Sequence, residues 1–102
     1  MDYVQLGRTG CRVSRFCLGT MNIRDPQDEE TWTQIVGEAL DAGINFIDTA
    51  DVYSRGISES AIGNILEANG RRDEVVLATK AVAAMGEVPN EHGASRYHLT
   101  RA

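Results

Sequence analysis

The chain has 102 residues, of which 42% are hydrophobic and 25% are charged, and two are cysteines. This composition excludes a disordered polymer, a collagen-like repeat and a disulfide-bonded mini-protein, and the length suits one small domain. A net charge of −5 without any basic cluster argues against non-specific binding to nucleic acids or anionic membranes.

The two cysteines, Cys11 and Cys17, have a spacing that fits neither a CxxC motif nor a metal site. Both lie among strand-like residues, so we interpret them as small buried hydrophobes and expect no metal. Residues 1–6 lack the basic start and apolar stretch of a secretion signal, and no apolar run has the length of a membrane span. We therefore expect a cytoplasmic protein.

The chain opens with a predicted β-hairpin. Two short β-prone runs, residues 3–6 and 11–13, flank the sequence GRTG. Its two glycines supply the positive φ that a tight reversal needs. The apolar run over residues 16–18 follows almost at once and stops at Gly19, which predicts a short buried strand.

Two amphipathic helices are predicted in the middle of the chain. Asp25-Pro26 marks the start of the first helix, and Gly43 ends it as a C-cap. The second helix has Ser58 as its expected N-cap and ends at Asn69-Gly70. Their expected inward faces are Trp32, Ile35, Val36, Ala39 and Leu40 in the first helix, and Ala61, Ile62, Ile65 and Leu66 in the second.

Two apolar strands, residues 44–47 and 75–79, alternate with these helices, which indicates a parallel α/β sheet covered by helices. A long loop over residues 81–94 and a third helix capped by Ser95 follow. Three parallel strands leave open edges, and closure into a barrel takes about eight strands and about 250 residues. We therefore interpret residues 1–102 as one incomplete domain.

The residues that can carry chemistry follow the ends of two neighbouring strands. Asp48 ends one strand, Lys80 ends the next, and Tyr53 lies in the loop after Asp48. Loops converge at the carboxyl ends of parallel strands, and neighbouring strands are about 5 Å apart, so we expect an Asp48–Lys80 ion pair beneath Tyr53. An ammonium stabilises a phenolate, so a tyrosine beside it can protonate a carbonyl oxygen as a hydride reaches the carbon.

Residue types and spacing alone leave other interpretations open. An aspartate and a lysine at strand ends often form a plain salt bridge, and a single tyrosine is more often a packing residue than a catalytic one. A lysine at the end of a barrel strand can also be the Schiff-base nucleophile of a lyase. The sequence pattern D-x4-Y disfavours the lyase.

A much longer pattern resembles one enzyme family. The sequence INFIDTADVYS over residues 44–54, with Gly56, Ser58-Glu59 and Ile62-Gly63 after it, closely resembles the signature of the aldo-keto reductases. DEVVLATK over residues 73–80 is similar to their third-strand motif, and VQLGRTG (4–10) and LGTM (18–21) are similar to their opening hairpin and first strand. The resemblance covers essentially the whole chain and is closest to bacterial members that resemble potassium-channel β subunits.

This resemblance implies the N-terminal part of a (β/α)8 TIM barrel and the NADPH-dependent reduction of small-molecule aldehydes or ketones to alcohols. By motif position, Tyr53 would be the general acid, Lys80 the partner that makes it a better acid, and Asp48 the residue that orients Lys80. Gly19, Thr20, Met21 and Asp48 would lie near the nicotinamide. The absence of a GxGxxG motif argues against a Rossmann site and agrees with this family.

One departure from the family pattern concerns the fourth catalytic residue. In the family it is a histidine several dozen residues beyond the lysine, and neither His92 in the loop nor His98 in the third helix matches it. We expect a chain truncated before that histidine, active as part of a full-length parent and inactive alone. A non-catalytic nucleotide- or partner-binding module with the reductase fold is the alternative.

Overall fold

The computed structural model describes residues 1–102, which form a two-stranded sheet, a three-stranded sheet and three α-helices. The strands are β1 (Tyr3–Gln5), β2 (Arg12–Ser14), β3 (Leu18–Gly19), β4 (Phe46–Asp48) and β5 (Val76–Ala78). The helices are α1 (Glu29–Asp41), α2 (Ile57–Ala68) and α3 (Arg96–Leu99). This order confirms the predicted hairpin followed by alternating strands and helices.

The hairpin of β1 and β2 lies at the amino end of the parallel strands. Its strands are antiparallel with Tyr3 opposite Ser14, and Gly7 in the turn has a φ of 58°. The Tyr3 hydroxyl donates to the Gly43 carbonyl over 2.8 Å, and the Ser14 amide donates to Asn45 Oδ1 over 2.7 Å. Gly43 and Asn45 directly precede β4, so these bonds hold the hairpin against the amino end of the sheet.

The second sheet has the order β3-β4-β5, and all its strands are parallel. Gly19 lies opposite Asp48, and Asp48 lies opposite Ala78. Hydrogen bonding between the two chains continues beyond the strand ends, since the Asp51 amide donates to the Lys80 carbonyl over 3.0 Å. The carboxyl ends of β4 and β5 are therefore fixed side by side.

Helix α1 begins at Glu29, three residues after the predicted start at Pro26, because Asp25 caps a 3-10 turn over Pro26–Asp28 that precedes the α-helix; Gly43 follows its C-terminal end, close to the predicted position. Asp25 Oδ1 accepts from the Gln27 amide, and Asp28 Oδ2 accepts from the Asp25 amide, so a reciprocal capping box closes the 3-10 turn that leads into α1. At the other end, Gly43 has a φ of 89° and its amide donates to the Leu40 carbonyl. Glycine reaches this left-handed conformation without the steric cost of a Cβ.

The predicted N-cap of α2 is wrong. The helix begins at Ile57, and its N-cap is Gly56, with a φ of 93°. Ser58 lies inside the first turn, where its hydroxyl contacts the Thr20 carbonyl at 3.1 Å and the Thr49 hydroxyl at 3.0 Å. Because Ser58 is fully buried among these partners, its oxygen is not available to cap the helix.

The hydrophobic core lies between the parallel sheet and the two long helices. All four predicted inward residues of α2 belong to it, whereas α1 contributes Val36 and Leu40 as buried residues and Trp32 at the periphery. The core consists of Ile23, Val36, Leu40, Ile47, Ala61, Ile62, Ile65, Leu66 and Val75. Burial of these side chains is what holds the helices on one face of the sheet.

The predicted buried strand over residues 16–18 is only partly correct. The observed strand begins at Leu18, while Phe16 is 67% exposed and Cys17 is exposed. The interpretation of Cys17 as a buried hydrophobe is therefore wrong, and Cys11 is only half-buried. The observed β3 contains only Leu18 and Gly19, so Phe16 and Cys17 lie before the paired part of the chain and are not packed against β4.

The segment after β5 forms a loop that carries the chain to α3. Ser95 caps that helix as predicted, because its hydroxyl accepts from the His98 amide over 3.1 Å. No helix in the structure combines the length and the apolar character needed to cross a bilayer.

Candidate active site

Asp48 and Lys80 meet at the carboxyl edge of the parallel sheet. Asp48 is the last residue of β4, and Lys80 follows β5 by two positions. The Lys80 ammonium donates to Asp48 Oδ2 over 2.7 Å and to the Thr49 carbonyl over 2.8 Å. Two oxygens from the end of β4 thus fix the position of the lysine nitrogen.

Tyr53 completes this cluster from the loop that follows β4. Lys80 Nζ donates to the Tyr53 hydroxyl over 3.3 Å and lies 5.0 Å from the centre of its ring. The ring is half-buried, and the hydroxyl lies on the exposed side of the sheet edge. The structure therefore joins the acid, the amine and the phenol that the strand pattern predicted to lie together.

The environment of Lys80 keeps its ammonium charged. Hydrogen bonding to Asp48 raises the pKa of Lys80 above its ordinary value of 10.5; the Tyr53 hydroxyl acts in the same direction, and slight burial acts against them. A Schiff-base nucleophile must be a neutral amine near neutral pH. The contacts of Lys80 therefore disfavour the lyase interpretation.

A strained turn holds Tyr53 in place. Ser54 and Arg55, directly after the tyrosine, have φ values of 49° and 53°, in the left-handed region that non-glycine residues rarely enter. The Ser54 hydroxyl donates to the Ile23 carbonyl over 2.8 Å, which ties the turn to the loop after β3. Sequence reasoning could not detect this turn, because neither residue type signals a positive φ.

Beneath the cluster lies a buried network of hydroxyl groups. The Ser58 hydroxyl is 2.7 Å from the Thr20 hydroxyl and 3.0 Å from the Thr49 hydroxyl, and all three residues are buried. Thr20 also donates to the Asp48 carbonyl over 3.0 Å. The network connects β3, β4 and α2 under Asp48, and it was missed because isolated Ser and Thr residues carry no sequence signal for such contacts.

The residues expected near a nicotinamide differ in which of their atoms face the open side of the sheet edge. A Cβ placed on Gly19 would meet no atom within 4 Å, so the space directly beside this residue, opposite Asp48, is open. Met21 is 63% exposed next to this opening. The hydroxyl of Thr20 is engaged in the interior, so Thr20 contributes to such a site through its backbone only. Gly19, Met21 and Asp48 fit the expected group.

Three side chains near or beyond this edge lie outside the cluster. Partial burial and the nearby charge of Asp48 raise the pKa of the Cys17 thiol, which keeps it protonated. His92 is exposed, and His98 is buried against Asn90. Neither histidine hydrogen-bonds to Asp48, Tyr53 or Lys80.

The chain thus contains a parallel β-α-β-α-β unit with a polar cluster at the carboxyl edge of its sheet. This arrangement is typical of the α/β proteins whose functional sites lie on the loops after the strands. Residues 15–102 match the Aldo/keto reductase family, and the chain belongs to that family. Its fold is the N-terminal part of an aldo-keto reductase TIM barrel.

Relatives and solved structures agree with this assignment. The chain is 47% identical to the uncharacterized oxidoreductase YrpG of Bacillus subtilis over 99% of its length, and 42% identical to the aldo-keto reductase YhdN of the same organism over 78%. It is 37% identical over 97% to a probable voltage-gated potassium channel subunit beta of rice, Oryza sativa subsp. japonica. The aldo-keto reductase AKR11C1 from Bacillus halodurans, solved in its holo form, superimposes on 99% of the chain with a TM-score of 0.82 and 33% identity.

The chain is much shorter than these proteins. It spans 34% of YrpG, 25% of YhdN, 30% of the channel subunit and 33% of AKR11C1. Two of these relatives are named as an oxidoreductase and an aldo-keto reductase, and the cluster of Asp48, Tyr53 and Lys80 is the candidate site of the part that the chain spans.

Proposed function

We propose that this chain carries the proton-donating half of an NADPH-dependent reductase that converts aldehydes and ketones to alcohols. One observation carries the proposal: the Lys80 ammonium is bound at the same time to Asp48, at 2.7 Å, and to the Tyr53 hydroxyl, at 3.3 Å. A salt bridge between Asp48 and Lys80 alone would not require the Tyr53 hydroxyl to lie within hydrogen-bond distance of the lysine.

The proposed roles follow from these contacts. Tyr53 donates its phenolic proton to the carbonyl oxygen of the substrate, which leaves negative charge on the phenol oxygen. The Lys80 ammonium, 3.3 Å away, stabilises that charge, and Asp48 keeps the ammonium charged and aimed at the phenol. NADPH, when bound, supplies the hydride that reaches the carbonyl carbon.

The nicotinamide end of the cofactor is proposed to lie beside Gly19, Met21 and Asp48, with the backbone of Thr20 next to it. The open space at Gly19 supports this placement. The preference for NADPH over NADH rests on the family resemblance, as do the expected cytoplasmic location and the small-molecule carbonyl substrate.

A graft provides a direct test of the proposal. Residues 1–102 replace the superimposed third of AKR11C1, and NADPH oxidation is measured with 4-nitrobenzaldehyde, with unmodified AKR11C1 assayed in parallel. We expect turnover by the graft and none by the 102-residue chain alone. Steady NADPH oxidation by the isolated chain would contradict the proposal that it needs the rest of a barrel.

A second candidate function is a non-catalytic nucleotide- or partner-binding module. It is favoured by the 37% identity to a probable potassium channel subunit beta. A graft that folds and binds NADPH but turns over no carbonyl substrate, together with a stoichiometric partner in a pull-down, would support this candidate and overturn the first.

A further inference from the structure

The Lys80 ammonium has three N–H donors, and the structure gives it three partners. These are Asp48 Oδ2 at 2.7 Å, the Thr49 carbonyl at 2.8 Å and the Tyr53 hydroxyl at 3.3 Å. The first two partners lie at the end of β4, whereas the lysine follows the end of β5. The direction of the third N–H toward the phenol therefore depends on how these two strand ends are held relative to each other.

The first turn of α2 contacts both strand ends. The Ser58 hydroxyl lies 3.0 Å from the hydroxyl of Thr49, the residue that directly follows the aspartate of the ion pair. The next residue, Glu59, accepts from the hydroxyl of Thr79 over 2.5 Å, and Thr79 directly precedes the lysine of the pair. Two consecutive residues of one helical turn thus bind the neighbours of both charged groups.

The contact with β4 is buried. Ser58 and Thr49 are 0% and 1% exposed, and the Ser58 hydroxyl also donates to the Thr20 carbonyl over 3.1 Å. The Thr49 amide donates to the Ala78 carbonyl of β5 over 2.8 Å. Thr49 is therefore fixed at its amide by the neighbouring strand and at its side chain by α2, and both contacts determine where its carbonyl meets Lys80.

The contact with β5 uses a charged acceptor. Glu59 belongs to the first turn of α2, where the helix dipole favours a negative charge. Its carboxylate forms no ion pair, and the Thr79 hydroxyl is its hydrogen-bond partner. A hydrogen bond to an ionised acceptor is roughly twice as strong as a neutral one. This bond fixes the backbone directly before Lys80, from which the lysine side chain extends to the cluster.

We propose that Ser58 and Glu59 are positioning residues of the reductase site, which hold the ends of β4 and β5 so that the third N–H of Lys80 points at the Tyr53 hydroxyl. Neither side chain hydrogen-bonds to Lys80 or Tyr53, so both act through the two threonines. This role rests on the proposed function, because the direction of that N–H matters for catalysis only if Tyr53 donates a proton.

The first test measures how firmly Lys80 is held. Lys80 is the only lysine of the chain, so lysine labelled with ¹³C at Cε gives a single NMR signal. We expect a Cε order parameter above about 0.6 in the unmodified 102-residue chain and below about 0.6 in S58A and in E59A. S60A, on the exposed side of the same helix, should keep the unmodified value. An unchanged order parameter in S58A or E59A, or an equal fall in S60A, would overturn the proposal.

A pair of variants at Thr79 repeats this test at an exposed position, where a substitution does not disturb the core. T79V keeps the branched shape of the side chain and removes the hydroxyl that binds Glu59, whereas T79S keeps the hydroxyl. The order parameter of Lys80 should fall in T79V and stay unchanged in T79S. Equal values in the two variants would overturn the proposal, even if S58A fails to fold.

The graft on AKR11C1 separates positioning from the chemistry itself. S58A and E59A should each lower kcat by about tenfold or more, since a misplacement of about 1 Å can cost about 100-fold, and should leave KM within about twofold. Normal kcat values in both variants, beside a strongly reduced kcat in Y53F, would overturn the positioning role alone. A normal kcat in Y53F would overturn the proposed function itself.

Discussion

Asp48, the last residue of β4, and Asp51, in the turn that follows, are three residues apart, yet their surroundings are opposite. The Asp48 side chain is one-third exposed and paired with Lys80 at 2.7 Å, whereas Asp51 is 8% exposed and has no partner for either oxygen. The Asp48 carboxylate is held by Lys80, whereas the Asp51 carboxylate is enclosed without a partner. The difference shows that a position near the end of a strand does not by itself bring a carboxylate into the cluster of Asp48, Tyr53 and Lys80.

The strongest test of this cluster removes the phenolic proton. In the graft on AKR11C1, Y53F should lower kcat by about 100-fold or more, because general acid catalysis contributes about 10²–10⁴-fold. Y3F is the matched control. Its lost hydroxyl bonds to the Gly43 carbonyl at the opposite end of the sheet, so kcat should stay unchanged. An unchanged rate in Y53F would remove Tyr53 from its proposed role.

The hydroxyl network that supports Asp48 is tested by S58A. Thr49 then loses the hydroxyl partner of its buried side chain, and the free energy of unfolding should fall by about 1–3 kcal/mol. Chemical denaturation of the 102-residue chain measures it. S60A, on the exposed side of the same helix, should change the stability by no more than about 0.5 kcal/mol. Similar values for the two variants would mean that the network contributes nothing specific.

Removing the negative charge of Asp48 beside Lys80 should change the pH dependence of kcat. Asp48 raises the pKa of Lys80, so the pair stabilises the fold fully below the ordinary lysine pKa, and the stabilisation is lost as the pH rises through the raised value. In the graft, D48N should therefore move the alkaline fall of kcat to lower pH. D73N, which changes an exposed aspartate away from the cluster, serves as the control. Coincident pH profiles for D48N and the unmodified graft would contradict the pairing.

The opposite sign is expected at Asp51. D51N replaces a buried carboxyl group whose oxygens have no hydrogen-bond partner with an amide of similar shape, so the free energy of unfolding should rise by about 1 kcal/mol. Denaturation at neutral pH measures the change. A clear loss of stability in D51N would show that the Asp51 carboxylate has a stabilising partner in solution.

The sequence predicted what depends on periodic or local signals. The apolar stripe of α2 and the strand-end positions of Asp48 and Lys80 follow from spacing, and the structure confirms their placement. The cap at Asp25 was predicted in the right place, but it closes a 3-10 turn and not the first turn of α1. The prediction that Ser58 caps α2 was wrong, because the sequence near a helix start does not distinguish a serine that caps the helix from one that points into the interior.

The features that sequence reasoning missed depend on contacts between distant segments. Cys17 is exposed because pairing with β4 begins only at Leu18, which the apolar run over residues 16–18 does not reveal. The left-handed turn at Ser54 is stabilised by the Ile23 carbonyl, and a cavity beside Asp51 is lined by residues from the loop after β5 and from α3. Single-residue propensities contain no information about such partners.

The central claim is that Lys80 connects the acid and the phenol into one proton-donating unit, and K80M tests it most directly. Methionine keeps the approximate length of the side chain and removes the ammonium that contacts both Asp48 and Tyr53. With NADPH binding and the circular dichroism spectrum of the graft unchanged, kcat for 4-nitrobenzaldehyde should fall by about 100-fold or more. A K80M graft that turns over substrate as fast as the unmodified graft would contradict the claim.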